Sequence, residues 1–377
     1  MRVAILTENF LPKLDGVTRT LATLLEHLDR RGHSAILFGP EGGPQRYANA
    51  HVIGVKGPRL PFYPELRALV PLPRFGQRLA RFKPDVVHVA EPMLLGAAGI
   101  RWARRMRGPV VASYHTNLSE YCAHFHLGAL GDAVWKYRRF LHAQCAVTLC
   151  PSSSTQRELE RRDFPRVALW SRGVDSTLFD PARRSAAWRR VTTGADDGAI
   201  VLYVGRLSLE KNLLSLVDAF KAIEDEQVRL VLVGDGPARL ELERALAGHR
   251  ATFTGYLRGE ALAEAYASSD VFAFPSRTET FGQVVSEAMA SGLPVVAFDA
   301  DGVRDQVVSG KSGLLAPAGD TQAFAQAGRS LVARPELRAA LGGRARQVAA
   351  GRTWERVMDD LLDIYRQVAM PSLAQAA

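Results

Sequence analysis

Short, uninterrupted apolar segments alternate with amphipathic segments along the whole chain. Such apolar runs are typical of strands buried on both faces of a parallel sheet, and the i, i+3, i+4 spacing is typical of the helices that cover it. The alternation occurs twice, which predicts an α/β protein with two Rossmann-like domains. The predicted strands are 2–7, 35–39, 51–55, 85–90, 109–114, 145–150, 167–171, 200–204, 229–233, 251–254, 271–274, 294–298 and 313–315. The predicted helices are 18–31, 94–107, 132–143, 153–162, 212–224, 237–247, 259–268, 282–291, 320–333 and 335–350.

An irregular segment at about 173–198 is the predicted linker between the two halves. The residues Gly173-Val-Asp-Ser-Thr-Leu-Phe-Asp-Pro181 break regular structure there, and a poorly patterned, arginine-rich stretch follows. We therefore place the first domain at 1–185 and the second at 186–353. A last predicted helix, 354–370, has apolar residues at Val357, Leu361, Ile364 and Tyr365. Residues 371–377 are predicted to form a frayed tail.

Length and composition exclude several classes of protein. A chain of 377 residues is too long for one ordinary core and suits two domains. No run of about 18 uninterrupted apolar residues occurs, so no membrane span is expected. The segment before the first acidic residue is too short for the apolar core of a signal peptide. The three cysteines, Cys122, Cys145 and Cys150, show no CxxC spacing and are expected to be reduced thiols of a cytosolic protein.

Basic residues are concentrated in the first half of the chain. Residues 1–190 contain 29 Lys and Arg against 15 Asp and Glu, a balance of +14, whereas residues 191–377 have a balance of −5. A basic face with aromatic residues suits an anionic membrane surface. Nucleic acid is a competing partner without a recognised binding motif, and solubilising charge alone is a third interpretation. The clusters comprise Arg101, Arg104, Arg105, Arg107, Lys136, Arg138, Arg139, Arg157, Arg161 and Arg162, interleaved with Trp102, Trp135, Tyr137 and Phe140.

Two carboxylates flank seven residues where a predicted strand gives way to a predicted helix, in Glu279-Thr-Phe-Gly-Gln-Val-Val-Ser-Glu287. Glu279 lies in the loop, and Glu287 lies about two turns into the helix. The backbone N–H groups of Phe281, Gly282 and Gln283 stand at the helix start, where an anion is favoured. A ligand with an anionic centre and hydroxyl-rich ends, such as a sugar nucleotide, suits this arrangement. For two such glutamates taken alone, the alternative is a solvated helix face.

A second motif contains the strand predicted at 200–204, in the sequence Ile200-Val-Leu-Tyr-Val-Gly-Arg-Leu-Ser-Leu-Glu-Lys-Asn212. Gly205 allows the backbone to turn tightly, and Arg206 and Lys211 follow it. Two cations beside the carboxyl end of a strand can bind a diphosphate, because arginine forks two oxygens and lysine acts as a point charge. A basic pair after a strand is often only surface charge. Two such motifs at strand carboxyl ends in one chain favour a ligand site.

Together these motifs resemble those of the retaining GT-B glycosyltransferases of family 4, in which the Gly-Arg-Leu…Glu-Lys-Asn run binds the donor diphosphate. The resemblance covers nearly the whole chain and implies the GT-B fold, with two Rossmann-like domains facing each other across a cleft. It implies that the first domain binds the acceptor and the second binds the nucleotide sugar. It also implies that helix 354–370 packs back on the first domain.

Other residues near the ends of predicted strands are further candidates. Gly16, before a predicted helix, lets the backbone approach a phosphate closely, with a plain turn as the alternative. The family often has Gly-Gly where this chain has Asp15-Gly16, so Asp15 is a helix cap, an acceptor contact or neither. His115 ends a buried strand where ligands bind in such sheets, and the family has a histidine there that contacts the donor hexose; a structural role is the alternative. Gly234-Asp-Gly236 is interpreted as a strand–helix turn, which in the family lies near the donor nucleotide.

Two segments bear on the acceptor and on metal binding. The proline-rich apolar segment 58–73 suits a lipid acceptor, and lipid-modifying members of the family have a similar segment; an ordinary packed loop is the alternative. Asp299-Ala-Asp301 has the Asp-x-Asp spacing but is interpreted as a loop and helix cap. No metal and no cofactor are therefore expected, because Arg206 and Lys211 are available to neutralise the leaving diphosphate.

The resemblance implies a retaining hexosyltransferase, and the cations Arg206 and Lys211 predict that it is independent of metal. The pattern is similar to that of bacterial lipid mannosyltransferases and sulfoquinovosyl-diacylglycerol synthases, and this resemblance implies transfer from GDP-mannose or a UDP-hexose to a membrane glycolipid or diacylglycerol. The protein is expected to be cytoplasmic, peripheral at the inner face of the cytoplasmic membrane, and without a nucleic-acid partner. The predicted catalytic residues are His115, Arg206, Lys211 and Glu279, and the predicted donor-binding residues are Gly16, Arg206, Lys211, Phe281, Gly282, Gln283 and Glu287.

Three alternatives remain open at this point. The first is a glycosyltransferase for a soluble or polysaccharide acceptor. The second is a nucleotide-sugar epimerase or oxidoreductase, against which the lack of a Gly-x-Gly-x-x-Gly fingerprint after the first strand argues. The third is a non-catalytic module that binds membranes.

Overall fold

The computed structural model describes residues 1–13, 15–60, 63–69, 74–115, 128–223, 225 and 227–370. These residues form two compact α/β units. The first unit comprises Met1–Ser171 together with the C-terminal segment that begins at Glu355, and the second comprises Arg172–Trp354. Cys122, part of the proline-rich segment 58–73 and the predicted tail 371–377 lie outside the described residues.

The first unit contains an eight-stranded sheet. The strands of the whole unit, in and outside this sheet, are β1 (Arg2–Thr7), β2 (Ser34–Pro40), β3 (Arg46–Tyr47), β4 (Ala50–Val55), β5 (Arg59–Leu60), β6 (Tyr63–Arg67), β7 (Val86–Ala90), β8 (Val110–Ser113), β9 (Val147–Cys150) and β10 (Val167–Leu169). The sheet order is β10-β9-β8-β7-β1-β2-β4-β3, parallel except between β3 and β4, while β5 and β6 form a separate antiparallel pair. The helices before the second unit are α1 (Gly16–Arg30), α2 (Phe75–Phe82), α3 (Leu94–Arg105), α4 (Gly128–His142) and α5 (Ser153–Arg161).

The second unit contains a six-stranded, fully parallel sheet. Its strands are β11 (Ala199–Val204), β12 (Val228–Val233), β13 (Ala251–Gly255), β14 (Val271–Phe274), β15 (Val295–Phe298) and β16 (Gly313–Ala316), in the order β13-β12-β11-β14-β15-β16. Its helices are α6 (Ala186–Thr193), α7 (Leu213–Lys221), α8 (Arg239–Ala245), α9 (Gly259–Ala267), α10 (Gln283–Ala290), α11 (Thr321–Ala333) and α12 (Pro335–Ala350). The predicted class, two Rossmann-like α/β units, is confirmed.

The hydrophobic pattern explains why these strands and helices form. The central strands β1, β7 and β11 are apolar on both faces because helices cover both faces of each sheet, and β7 and β11 are buried along their whole length. Helix α1 shows the complementary pattern: Leu21, Leu24, Leu25 and Leu28 share the buried face of this amphipathic helix. The strand directions and helix faces therefore follow from the same alternation that predicts them.

The last helix, α13 (Trp354–Ala369), packs within the first unit. Leu361, Leu362 and Tyr365 are fully buried on one face of this helix. On its polar face, Asp359 Oδ1 lies 2.9 Å from His27 Nε2 of α1 and Asp359 Oδ2 lies 2.5 Å from Arg31 Nη2. The first unit is thus built from both ends of the chain.

The division between the units lies at Ser171 and Arg172, earlier than the predicted boundary at 185. Residues 172–185 pack with the second unit: the Val174 N–H donates to Arg352 O at 2.8 Å, and the Phe179 ring lies 5.6 Å from the Tyr266 ring. Arg346 also pairs with Asp180. The sequence of this segment resembles that of a linker because single residues make its contacts, and these residues follow no helical or strand spacing.

Helix α6 occupies the arginine-rich stretch in which no regular structure was predicted. Ser185 caps it, accepting a hydrogen bond from the Trp188 N–H at 3.1 Å. Arg189 is buried and donates to Ser268 O and Asp270 Oδ2 at 2.7 and 2.9 Å. The buried face of α6 therefore carries an arginine, so the sequence lacks the regular apolar spacing by which a helix is predicted. Helix α2 was also missed.

Two smaller sequence predictions concern an acidic pair and the cysteines. Asp299 pairs with Arg304 at 3.0 Å and is followed by turns, so the predicted loop is present but no helix begins there for it to cap. Cys145 and Cys150 are buried, free thiols, and burial raises the pKa of Cys145 to about 12. In the part of the chain that the structure describes, no helix has the length and apolar character needed to cross a membrane.

Candidate active site

The candidate residues of the second unit lie where the strand order reverses. Strands β11 and β14 are parallel neighbours, with Val201 opposite Val271. From β11 the chain continues outward to β12 on one side, and from β14 it continues to β15 on the other. Ligands of open α/β sheets bind beside such a point, at the carboxyl ends of the strands. The loop carrying Arg206 follows β11 and the loop carrying Glu279 follows β14, so both motifs lie at this edge.

Close packing of two backbone turns positions the Arg206 loop. A β-carbon at Gly234, whose φ is +135°, would lie 1.9 Å from the Gly205 oxygen, and one at Gly236 would lie 2.3 Å from the Leu207 oxygen. The Leu207 N–H donates to Asp235 O at 3.0 Å and closes the contact. Gly234-Asp-Gly236 is therefore the strand–helix turn that the sequence predicts, and it also supports the Arg206 loop.

Lys211 and Glu279 form an ion pair, with Nζ 2.5 Å from Oε1. The Ser276 hydroxyl donates to the same oxygen at 2.9 Å. Lys211 ends a short 3-10 turn, Asn212 adopts a left-handed conformation, and α7 begins at the next residue. The arrangement brings together two residues that the sequence assigns to one ligand, while Arg206 is exposed on the neighbouring turn.

The loop before α10 is held by a side chain that the sequence analysis did not identify. Gln306 Nε2 donates to the carbonyl oxygen of Phe281, and lies 3.3 Å from the Gly282 oxygen. Gly282 has φ +83°, and the Val285 N–H returns to Gly282 O at 3.0 Å. The preceding amides stand at the helix start, where a helix has no partners of its own for them. The carbonyls therefore face Gln306, and the helix start keeps its preference for an anion.

The side chains of the predicted loop residues do not all serve a ligand. Phe281 is buried, and Gln283 Nε2 donates to Gly173 O at 2.8 Å, within the same unit. A β-carbon at Gly302 would lie 2.6 Å from the backbone carbonyl oxygen of Glu279, so a second turn packs directly on this loop. The side chains of Phe281 and Gln283 are thus used within the unit, and ligand binding by the backbone amides of Phe281, Gly282 and Gln283 stays a prediction.

Glu287 is buried, with only 3% of its surface exposed. The Tyr266 hydroxyl of α9 donates to Glu287 Oε2 at 3.1 Å and lies 3.3 Å from the Val284 oxygen. This contact excludes the alternative of a solvated helix face for Glu287. Tyr266 fixes the carboxylate and gives no local sequence signal, because it reads as an ordinary apolar position of α9.

In the first unit, His115 is buried at the carboxyl end of β8. Its Nε2 lies 2.8 Å from Ser113 Oγ, and its backbone N–H donates to Glu91 Oε2 at 3.0 Å. Glu91 forms an ion pair with Arg138, which is wholly buried and stacks over the Tyr114 ring at 4.0 Å. Arg138 therefore belongs to the support of His115, and its assignment to a basic surface cluster was wrong. Trp135 is also buried.

The loop after β1 contains the other candidate of the first unit. Asp15 Oδ1 accepts a hydrogen bond from the Thr18 N–H at 2.9 Å, so Asp15 is the N-cap of α1. Asn9 and Lys13 contact the other oxygen of Asp15. A β-carbon on Gly16 would meet no atom within 4 Å, so the first residue of α1 faces open space. This geometry leaves room for a ligand close to the Gly16 backbone.

Glu8, which directly follows β1, was not identified from the sequence. Its Oε1 accepts hydrogen bonds from the N–H groups of Leu95 and Gly96, at 2.8 and 3.4 Å, at the start of α3. Burial raises the pKa of Glu8 to about 7, against the opposing effect of these amides, and Glu91 raises it further. Glu8 is thus a carboxyl group that titrates near neutrality at the ligand edge of the first sheet.

Comparisons with known proteins show the family to which the chain belongs. Family models match the chain as Glycosyltransferase Family 4 over residues 14–178 and as Glycosyl transferases group 1 over residues 185–348. A GDP-mannose-dependent alpha-mannosyltransferase of Mycolicibacterium smegmatis is 42% identical over 98% of each chain. The sulfoquinovosyl transferase SQD2 of Arabidopsis thaliana is 35% identical over 90% of this chain and 68% of its own. The solved structure of Anabaena HepE with UDP has a TM-score of 0.80 at 20% identity, over 97% of this chain and 100% of that one.

The fold of the two units and the two motifs define a glycosyltransferase of the GT-B class. The chain belongs to the family 4 GT-B glycosyltransferases. Because the chain belongs to this family, the alternatives of an oxidoreductase or epimerase and of a non-catalytic membrane module are rejected.

Proposed function

We propose that this protein is a retaining hexosyltransferase that moves a hexose from a nucleoside diphosphate sugar to a hydroxyl of a membrane lipid. The observation that carries the proposal is the Lys211–Glu279 pair beside the start of α10, at the switch point of the second sheet. The name of one relative, a GDP-mannose-dependent alpha-mannosyltransferase, supports a sugar-nucleotide donor. GDP-mannose is the first candidate, and a UDP-hexose is the second.

The chemistry follows from the charges in the second unit. Arg206, Lys211 and the amides at Gly282 and Gln283 are placed to bind the diphosphate and to stabilise its charge as the bond to the hexose breaks. The acceptor hydroxyl forms the new bond to the anomeric carbon on the same face. Its proton passes to an oxygen of the departing phosphate. No metal ion is required for this charge balance, since two side-chain cations and a helix start supply it.

The two glutamates divide the ligand between them. Glu287, held by Tyr266, accepts hydrogen bonds from the ribose hydroxyls, and Glu279 accepts them from the hexose. Binding of the diphosphate draws Lys211 toward the phosphates, and the hexose hydroxyls then compensate the Glu279 carboxylate. The order of events is donor binding first and transfer second.

The lipid acceptor is proposed from the surface of the first unit. Phe140 is 63% exposed, and the neighbouring Arg139 is also exposed. Arg104 Nη1 donates to Gln144 Oε1 at 2.7 Å, and Gln144 Nε2 donates to Phe140 O at 3.2 Å, so α3 and α4 present one continuous basic and aromatic patch. Such a patch suits the anionic inner face of a cytoplasmic membrane. The enzyme is therefore proposed to be cytoplasmic and peripheral at that membrane.

The proposal is tested by supplying purified protein with radiolabelled GDP-mannose, UDP-glucose and UDP-galactose in turn, with diacylglycerol or a glycolipid presented in anionic vesicles. We expect one donor to label the lipid fraction and the product to keep the anomeric configuration of the donor, as measured by NMR. Labelling of a soluble saccharide alone would show that the acceptor is not a lipid. An inverted product would overturn the retaining mechanism, and no transfer from any donor would overturn the choice of donors.

A further inference from the structure

A buried series of hydrogen-bonded side chains, called the hydrogen-bonded chain below, reaches His115. The Tyr365 hydroxyl of α13 lies 2.5 Å from His88 Nδ1, and His88 Nε2 lies 2.9 Å from Ser113 Oγ. Ser113 Oγ lies 2.8 Å from His115 Nε2. Tyr365 and His88 are completely buried, and Ser113 and His115 are nearly so. This hydrogen-bonded chain joins helix α13 and strands β7 and β8 to a histidine at the ligand edge of the sheet.

Tyr365 sets the direction in which the protons of this chain point. Burial raises its pKa well above the ordinary value of about 10, so the phenol keeps its proton. Among the described residues, His88 Nδ1 is the hydrogen-bond partner of this hydroxyl. Burying a hydroxyl without an acceptor is unfavourable, so Tyr365 donates and His88 Nδ1 accepts.

The remaining protons then follow from the donor inventory. A neutral His88 that accepts at Nδ1 carries its proton on Nε2 and donates it to Ser113 Oγ. Ser113 has a single hydroxyl proton, which it donates to His115 Nε2. A charged His88 would donate from both nitrogens and leave Tyr365 facing a second donor. His115 is therefore the tautomer that is protonated on Nδ1.

Trp170 restrains the two imidazole rings that carry these protons. Its ring makes edge contacts with His88 and His115, at centroid distances of 5.5 and 5.9 Å. Such contacts hold the planes of the two imidazole rings. A ring flip at either histidine would exchange Nδ1 with Cδ2 and Nε2 with Cε1 and would break this hydrogen-bonded chain.

We propose that Tyr365, His88 and Ser113 are positioning residues that hold His115 as a neutral Nδ1–H donor for a hydroxyl oxygen of the substrate. The role given to His115 rests on the proposed function, whereas the control of its tautomer does not. Because Nε2 is already accepting from Ser113, His115 does not act as a base through that nitrogen.

The test combines the tautomer of His115 with steady-state kinetics in three variants. Tyr365→Phe keeps the ring but removes the hydroxyl, and Ser113→Ala removes the donor to His115. Thr148→Val is the matched control, because Thr148 Oγ1 lies 3.1 Å from Nδ1 of another buried histidine, His142, that is not part of the chain. The protein is labelled with 15N-histidine, and the His115 resonances are assigned from their loss in His115→Gln.

In the wild type we expect the His115 Nδ1 resonance at the protonated position and Nε2 at the unprotonated position. Tyr365→Phe should move both toward the average of two tautomers and lower kcat about tenfold with little change in KM for the donor, a common effect of removing an outer hydrogen-bond partner. Ser113→Ala should act in the same direction, and Thr148→Val should change neither. Tyr365→Phe is nearly isosteric, so the test stands even if Ser113→Ala fails to fold.

Two results separate the failure of this inference from the failure of the proposed function. Unchanged His115 resonances in Tyr365→Phe, or Nε2 protonation in the wild type, would overturn the inferred chain. Full transferase activity in His115→Gln, together with the expected resonances, would leave the tautomer control standing and remove His115 from the reaction.

Discussion

Lys211 and Glu279 form a partly buried ion pair although 68 residues separate them in the chain. The pair exists because β11 and β14 are neighbours, so the residues that follow these strands meet at one edge. Each side chain is about four-fifths buried, which makes the contact more than a surface salt bridge. A ligand with an anionic group can pair with Lys211 in place of Glu279, and its hydroxyl groups can bind Glu279 in place of Lys211. A sugar nucleotide contains both kinds of group.

The first prediction concerns the cations near the diphosphate. We expect Arg206→Ala and Lys211→Met each to lower turnover roughly 10²-fold or more, since each removes charge stabilisation from the leaving group. Arg258→Ala is the control, because Arg258 is an exposed arginine of the same unit. Turnover is measured with saturating donor after circular dichroism shows that the variants are folded. Near wild-type turnover in either variant would remove that cation from the mechanism.

The second prediction separates the two glutamates. Glu287→Gln should weaken binding of the free nucleoside diphosphate by roughly 1.5–3 kcal/mol, the usual contribution of a charged hydrogen bond. Glu279→Gln should leave that binding almost unchanged and sharply reduce transfer, because the hexose is absent from the free nucleotide. Isothermal titration calorimetry measures both affinities. Equal losses in the two variants would contradict the division of roles.

The third prediction is that the reaction proceeds without a metal ion. Arg206, Lys211 and the start of α10 supply the positive charge that a metal would otherwise provide. Transfer should therefore continue at its normal rate after dialysis against EDTA. Complete loss of activity that only manganese or magnesium restores would show that a metal takes part.

The fourth prediction concerns the patch formed by Arg104, Arg105, Arg139 and Phe140. The protein should sediment with anionic vesicles, bind neutral ones weakly and dissociate at high salt, because the Debye length falls from about 10 Å at 0.1 M to about 3 Å at 1 M. Reversing the three arginine charges should reduce binding and leave hydrolysis of the donor intact. Arg138 is not included, because reversing a buried, paired charge would unfold the unit.

The control for this experiment reverses three exposed arginines of the second unit, Arg244, Arg258 and Arg344. It changes the net charge equally and should leave vesicle binding almost unaltered. Equal binding of the wild type to neutral and anionic vesicles, or equal losses in both sets of variants, would favour a soluble acceptor.

The fifth prediction concerns the pH dependence of stability at Glu8. Its folded pKa of about 7 lies above its ordinary value of 4.5, so between these values the folded state binds more protons than the unfolded state. The contribution of Glu8 is fully favourable below about pH 4.5 and is lost as the pH rises to 7, at a cost of about 3 kcal/mol at most. Glu8→Gln should therefore raise Tm relative to wild type more at pH 8 than at pH 5. A Tm difference between the two proteins that does not change with pH would refute the raised pKa, and Glu241→Gln, at an exposed position, is the control.

The sequence predicts strands and local motifs well because their signals are local. Val201 to Val204 are apolar on both faces whatever their neighbours are, and Arg206 and Lys211 lie within one short motif. Buried polar contacts between distant segments carry no such signal. Arg138 reads as part of a basic cluster because its partner, Glu91, lies 47 residues away. Gln306, Tyr266 and Tyr365 read as ordinary helix or loop positions for the same reason.

Helix α13 has a consequence for the synthesis of the protein on the ribosome. Its buried face, with Met358, Leu361, Leu362 and Tyr365, fills part of the first unit but is translated after the whole second unit. Domains usually fold as they emerge, N-terminal first. Here the second unit can complete its fold while the first still exposes the apolar surface that α13 covers. Nascent chains are therefore most prone to aggregate before α13 emerges from the ribosome, and removal of this helix would prolong that state indefinitely.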